Sequence, residues 1–187
     1  MERWHSKEGH RMGIYFNPNH TDFYNAVNHS QIYVDKTELI QYTISVLFGE
    51  QKYICVSRPR RFGKSMAANM LTAYYSRGCD SRELFQGLKI ATHPDFEKHL
   101  NQYNVIHLNM RDYLTESENM KQLIQFVEDD LLDELQHEFS DLRMPRRKTL
   151  VKVLEQAFAQ YKIPFVFIID EWDCIFRVHK SDAASQK

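Results

Sequence analysis

The run Arg58-Pro-Arg-Arg-Phe-Gly-Lys-Ser65 closes on a Gly-Lys-Ser triplet, a combination suited to gripping phosphate. A glycine at 63 lets backbone N–H groups come close to anionic oxygens. Lys64 neutralises β and γ phosphates, and the Ser65 hydroxyl is an oxygen donor that Mg²⁺ accepts. Arg58 stands where the general pattern GxxxxGK[ST] has its first glycine. The guanidinium groups of Arg58, Arg60 and Arg61 match phosphate oxygens bidentately, on this nucleotide or on a neighbouring subunit's. On the plainer alternative, two of the three face solvent. Pro59 stiffens the start of the loop. Pro59, Arg60, Arg61, Phe62, Gly63, Lys64 and Ser65 are therefore the candidate nucleotide-binding stretch.

A Gly-Lys-Ser triplet by itself is common in ordinary turns, so a second motif has to accompany it. Pro164-Phe-Val-Phe-Ile-Ile169 is an apolar run that ends in Asp170 and Glu171. Asp170 is placed to hold Mg²⁺, commonly through water, and Glu171 to activate an attacking water. The plainer reading makes the two acids a polar strand end. Occurring together, the two motifs point to ATP and Mg²⁺.

The surrounding elements must position these groups. Lys52-Tyr-Ile-Cys-Val-Ser57 reads as a buried strand before the loop. From Lys64, the residues Met66, Ala67, Met70, Leu71, Tyr74 and Tyr75 recur at helical spacing, with Gly78 as a stop. Asn104-Val-Ile-His-Leu-Asn109 reads as a second strand. Met120, Leu123, Ile124, Val127, Leu131 and Leu135 form one helical face, and Leu150, Val153, Leu154, Ala157 and Tyr161 another, with a basic turn at 143–148 between them. The apolar run before Asp170 is the third strand. Earlier, Ile32 to Ile40 turns from extended chain into helix, with Asp35 and Glu38 at capping-box spacing. Between Gly78 and Asn104 lies a polar linking region with Gly87 and Pro94. Alternating strands and helices predict an α/β fold with a mostly parallel sheet flanked by helices.

The 187 residues suit about one domain, and 24 Lys plus Arg against 25 Asp plus Glu give no overall pull toward nucleic acid or an anionic membrane. Arg146, Arg147 and Lys148 read as a solvated helix start. The longest apolar run is far too short for a bilayer span, and the first residues have no leader-like apolar stretch. Cys55, Cys79 and Cys174 are odd in number and widely spaced, which fits neither a disulfide framework nor a zinc site. A soluble cytoplasmic protein is expected. Cys55 and Cys174 read as small buried residues and His107 as a structural histidine, and no metal is assigned apart from Mg²⁺.

Tyr33-Val-Asp-Lys-Thr37, the loop itself, Leu84-Phe-Gln-Gly-Leu-Lys-Ile90 and Ile168-Ile-Asp-Glu171 together resemble the AAA-ATPase-like family of prokaryotic proteins, from about Asn17 onward. In that family the loop reads RPRRFGK[ST], so Arg58 departs from the general pattern and not from the family. The family's IDEYDxP run is altered, with Trp172 for tyrosine and Ile175 where proline would stand. The resemblance implies a P-loop NTPase of the Asp-Glu class over residues 31–187, after a polar segment at 1–30. It further implies a later strand, bearing a γ-phosphate sensor, between the loop strand and the acidic strand. The tail at 178–187 has no apolar run for it. The expectation is a truncated domain with a gap between Ser57 and Phe165, hydrolysing ATP weakly, with nucleic acid reached only through a C-terminal nuclease-like domain beyond it. The expected function is an ATP-binding module of an Mg²⁺-dependent ATPase, its rivals a non-hydrolysing nucleotide switch and an inactive remnant. The coupled process, the base preference and the oligomeric state have no signature here.

Overall fold

The computed structural model describes residues 13–57, 59 and 61–178, the side chains of Arg177 and Val178 excepted. Its helices are Thr21–His29 (α1), Glu38–Val46 (α2), Lys64–Tyr75 (α3), Arg82–Gln86 (α4), Phe96–His99 (α5), Met110–Glu116 (α6), Met120–Glu138 (α7), Leu150–Tyr161 (α8) and Cys174–Val178 (α9). A 3₁₀ turn covers Lys89–Thr92, and the strands are Asn104–Asn109 (β1) and Phe165–Asp170 (β2).

β1 and β2 pair in parallel, with Asn104 opposite Phe165 and Asn109 opposite Asp170. Parallel neighbours need a crossover, which α6, α7 and α8 supply. Strand side chains alternate between faces, so Val105, His107, Val166, Ile168 and Asp170 share one face and Ile106 and Leu108 the other. The first face packs under α3 in a core with Met70, Ala73, Tyr74 and Tyr75. The second packs with Leu123, Leu131 and Leu135 of α7 and Val153 and Ala157 of α8. The architecture is thus a two-stranded parallel sheet flanked by helices. No helix among the described residues is long and apolar enough to cross a membrane.

The helical periodicities predict α3, α7 and α8, and the two later apolar runs predict β1 and β2. Within them, Ile124 departs from its predicted face and is half exposed. The first apolar run does not form a strand: residues 52–57 are irregular and exposed, Tyr53 at 86%. The sheet among the described residues has the order β1–β2 and gives this run no neighbour. Cys55 is consequently exposed rather than buried, whereas Cys174 and Cys79 are buried.

Residues 79–103 are also more than a polar link. Phe85 and Ile90 are fully buried and Phe96 nearly so. Phe85 stacks on Phe23 of α1, and the Tyr74 hydroxyl donates to the Phe96 carbonyl at 2.7 Å. Their apolar side chains are too few for a periodic signal, yet enough to plug one end of the core. On the opposite face, Glu134 of α7 accepts N–H bonds from Ile14 at 2.7 Å and Phe16 at 2.6 Å, which fixes the chain leading to α1.

Candidate functional site

The loop leads straight into α3, whose N-cap is Gly63 in the left-handed region at φ 80°. Such a conformation strains any residue with a Cβ, so glycine is required there. Gly63 offers no capping side chain, and α3 starts without a side-chain cap bond. The N–H groups of a helix's first turn, together with the positive end of its dipole, suit an anion. Lys64 is half-buried, and Ser65 and Phe62 are exposed. Arg61 is exposed at φ 67°, and Pro59 is exposed as well. Arg58 and Arg60 lie outside the described residues.

Which end of the sheet the loop approaches follows from the other end of α3. Ser76 bridges to Tyr103 in parallel, and the Tyr103 N–H donates to the Tyr75 carbonyl at 3.0 Å. The end of α3 thus sits at the beginning of β1. A helix of 12 residues spans about 18 Å and a strand of six about 20 Å, so α3 runs back along the sheet nearly its full length. Its N-terminus faces the strand ends where Asn109 and Asp170 stand opposite each other. Gly63, Lys64 and Ser65 are brought to the same end of the fold as Asp170 and Glu171.

At that end the Asp170 carboxylate accepts the Glu171 N–H at 2.9 Å, and Glu171 has φ 52°. The left-handed turn stops β2 and turns the chain into α9, where Trp172 packs edge-on to Phe176. Further down the same face, His107 of β1 pairs through Nδ1 with the Thr72 hydroxyl of α3 at 3.0 Å. Burial holds the His107 imidazole below its ordinary pKa, against the opposing pull of Asp170 and Asp22. His107 is therefore a structural imidazole that ties α3 to the sheet.

A cleft of about 480 Å³ lies beside this region, between the start of α1, Asn69 and Thr72 of α3, and His107. Its lining includes none of residues 59–65 and neither acid.

The sequence reading left Lys36 aside, and the structure brings it to the loop. Lys36 Nζ donates to the Phe62 carbonyl at 3.5 Å. Its neighbours are fixed by one further segment of chain, residues 89–90. Asp35 accepts from the Thr37 N–H at 2.8 Å, the Thr37 hydroxyl at 2.7 Å and the Lys89 N–H at 2.7 Å. Thr37, fully buried, accepts the Ile90 N–H at 3.1 Å. Burial pushes the Asp35 carboxyl up, but these bonds together hold it below the ordinary value. The capping-box expectation for Asp35 is thereby corrected: the N-cap of α2 is Thr37, which makes no side-chain cap bond. Asp35 instead ties residues 33–37 to residues 84–90, joining two stretches that stand far apart in sequence. The signal was present as the Asp-Lys-Thr triplet, but spacing alone did not separate anchors from the reaching lysine.

A family model described as Predicted AAA-ATPase matches residues 19–186. Neither the curated proteins nor the solved structures give a significant match.

Proposed function

The chain belongs to the Predicted AAA-ATPase family, and from that premise we propose that it is a P-loop ATP-binding module of the Asp-Glu class, built for Mg²⁺-dependent hydrolysis. What supports this reading most is that the uncapped start of α3 and the acidic end of β2 share one end of the sheet. The loop amides and Lys64 hold the phosphates. Arg61, and the flanking Arg60, add positive charge at the loop rim, while Pro59 and Phe62 shape its backbone. The donor set suits Mg²⁺, which prefers oxygen ligands, keeps several waters and needs only one or two protein oxygens beside the phosphates. Ser65 and Asp170 would hold it, and bound there it neutralises charge on the phosphate oxygens.

Glu171 polarises the attacking water, and its carboxylate takes the proton as the new P–O bond forms and the β–γ bridge breaks. Asp170 accepts the Glu171 backbone N–H, which fixes the Asp170 carboxylate against the turn that carries Glu171.

Equilibrium titration with ATP tests the assignment. Lys64→Ala is expected to weaken binding on the order of a hundredfold with its circular dichroism unchanged, because a desolvated charge contact to phosphate is lost. Unchanged affinity would remove the site from the loop. Glu171→Gln should keep binding and lower turnover by about a hundredfold or more. Equal loss of both would assign Glu171 a binding role instead.

A further inference from the structure

We propose that Lys36 is a positioning residue of the phosphate loop, turning the Gly63 N–H toward the phosphates by holding the carbonyl on the other side of the same peptide; this rests on the nucleotide reading above. A trans peptide is planar, and its C=O and N–H point in opposite directions. Lys36 Nζ donates to the Phe62 carbonyl at 3.5 Å. The N–H of that peptide belongs to Gly63, and it therefore points away from Lys36. Without that hold, the peptide can flip and offer a carbonyl oxygen to the phosphates, which repels them.

Three observations show that the reach of Lys36 is built into the fold. First, the residues on either side of it are anchored: Asp35 by the Lys89 N–H and Thr37 by the Ile90 N–H. The Lys36 backbone is thus held on both sides by one distant segment, residues 89–90, and its exposed side chain projects. Second, the ammonium stands beside Gly63, 3.4 Å from where a Cβ would be, an ordinary van der Waals distance. Glycine at 63 is required by its φ of 80° and not by the lysine. Third, the position carries a full charge next to a carbonyl at the mouth of a helix N-terminus. The same charge adds to the field that attracts the phosphates, so a neutral donor would not replace it fully.

The test uses the 187-residue chain, titrated with Mg²⁺ and ATP by calorimetry, in four forms: unchanged, Lys36→Met, Lys36→Arg and Lys64→Ala. Lys36→Met is expected to weaken ATP binding about tenfold, the worth of one hydrogen bond to a charged group. Lys36→Arg, which keeps charge and donor, should stay within about threefold, and melting temperatures should shift by no more than about 2 °C, because the lysine is exposed. Should Lys36→Met not fold, Lys36→Gln replaces it. If Lys64→Ala loses binding while Lys36→Met binds like the unchanged chain, the loop reading stands and the role of Lys36 falls. If Lys36→Met and Lys36→Arg lose binding equally and both melt early, the residue is merely structural, and the proposal is overturned. If the unchanged chain or Lys64→Ala behaves as though the loop were irrelevant to ATP, both readings fall together.

Discussion

Two six-residue apolar runs meet opposite fates in this molecule. Asn-Val-Ile-His-Leu-Asn at 104–109 becomes β1, with Val105 and Ile106 fully buried. Lys-Tyr-Ile-Cys-Val-Ser at 52–57 has the same strand-forming composition and stays irregular and exposed. The difference lies outside the runs themselves. β1 finds a parallel neighbour in β2, a helix on each face and the Tyr15 and Asn17 backbone alongside. The run before the loop finds no edge among the described residues, and β2 leaves Phe167 and Ile169 half exposed. Strand propensity means fitness for a pleated, half-buried surface, and it has no effect where that surface is missing.

Thiol labelling breaks or sharpens this contrast most sharply. Cys55 lies in the exposed run, whereas Cys79 and Cys174 are buried, and burial pushes the Cys79 thiol up to about 12. In the native protein one thiol of the three should react on the order of a hundredfold or more faster than the others. Protection of Cys55 would mean that residues 52–57 are covered in solution. Stability changes come next. Ile106→Ala should cost about 3 kcal/mol in urea unfolding through cavity formation, while Ile54→Ala should cost less than about 1 kcal/mol. Equal costs would erase the distinction between the runs.

The smallest effect is that of pH. Burial lowers the pKa of His107 and of His99, which contacts the Tyr103 hydroxyl. The unfolded chain then takes up protons near the ordinary value of 6.5 that the folded chain declines, so stability is fully present above 6.5 and falls as pH drops below it. Urea midpoints between pH 7.5 and 5.5 should decrease, and His107→Gln should flatten the slope. A flat profile for the unchanged protein would mean that His107 and His99 are not buried as neutral groups.

Much of the site could be read before any coordinates. Gly63, Lys64 and Ser65 stand at the start of a helix whose apolar spacing was plain, and Asp170 ends a strand whose β-branched run was plain. The family motif Asp35-Lys36-Thr37 hinted at a place near the nucleotide, but that Lys36 is the residue reaching Phe62 was not legible, because its approach is set by anchors at Lys89 and Ile90, far along the chain. Residues 79–103 were read as a link because Phe85, Ile90 and Phe96 follow no single period. All three are buried in one core with Tyr74, on whose ring both Phe85 and Phe96 pack.

The sequence by itself determined the helices α3, α7 and α8 and the strands β1 and β2, where the glycine permits a left-handed turn and where the phosphate-compatible and acidic groups stand. Those properties depend on side-chain type and on neighbours within a turn or two. Tertiary structure alone decided that β1 and β2 pair in the register that sets Asn109 opposite Asp170, that α3 runs back to that end, that Lys36 reaches the loop and that residues 52–57 remain outside the sheet. Burial and pairing are properties of two surfaces meeting, and one run of residues specifies only its own.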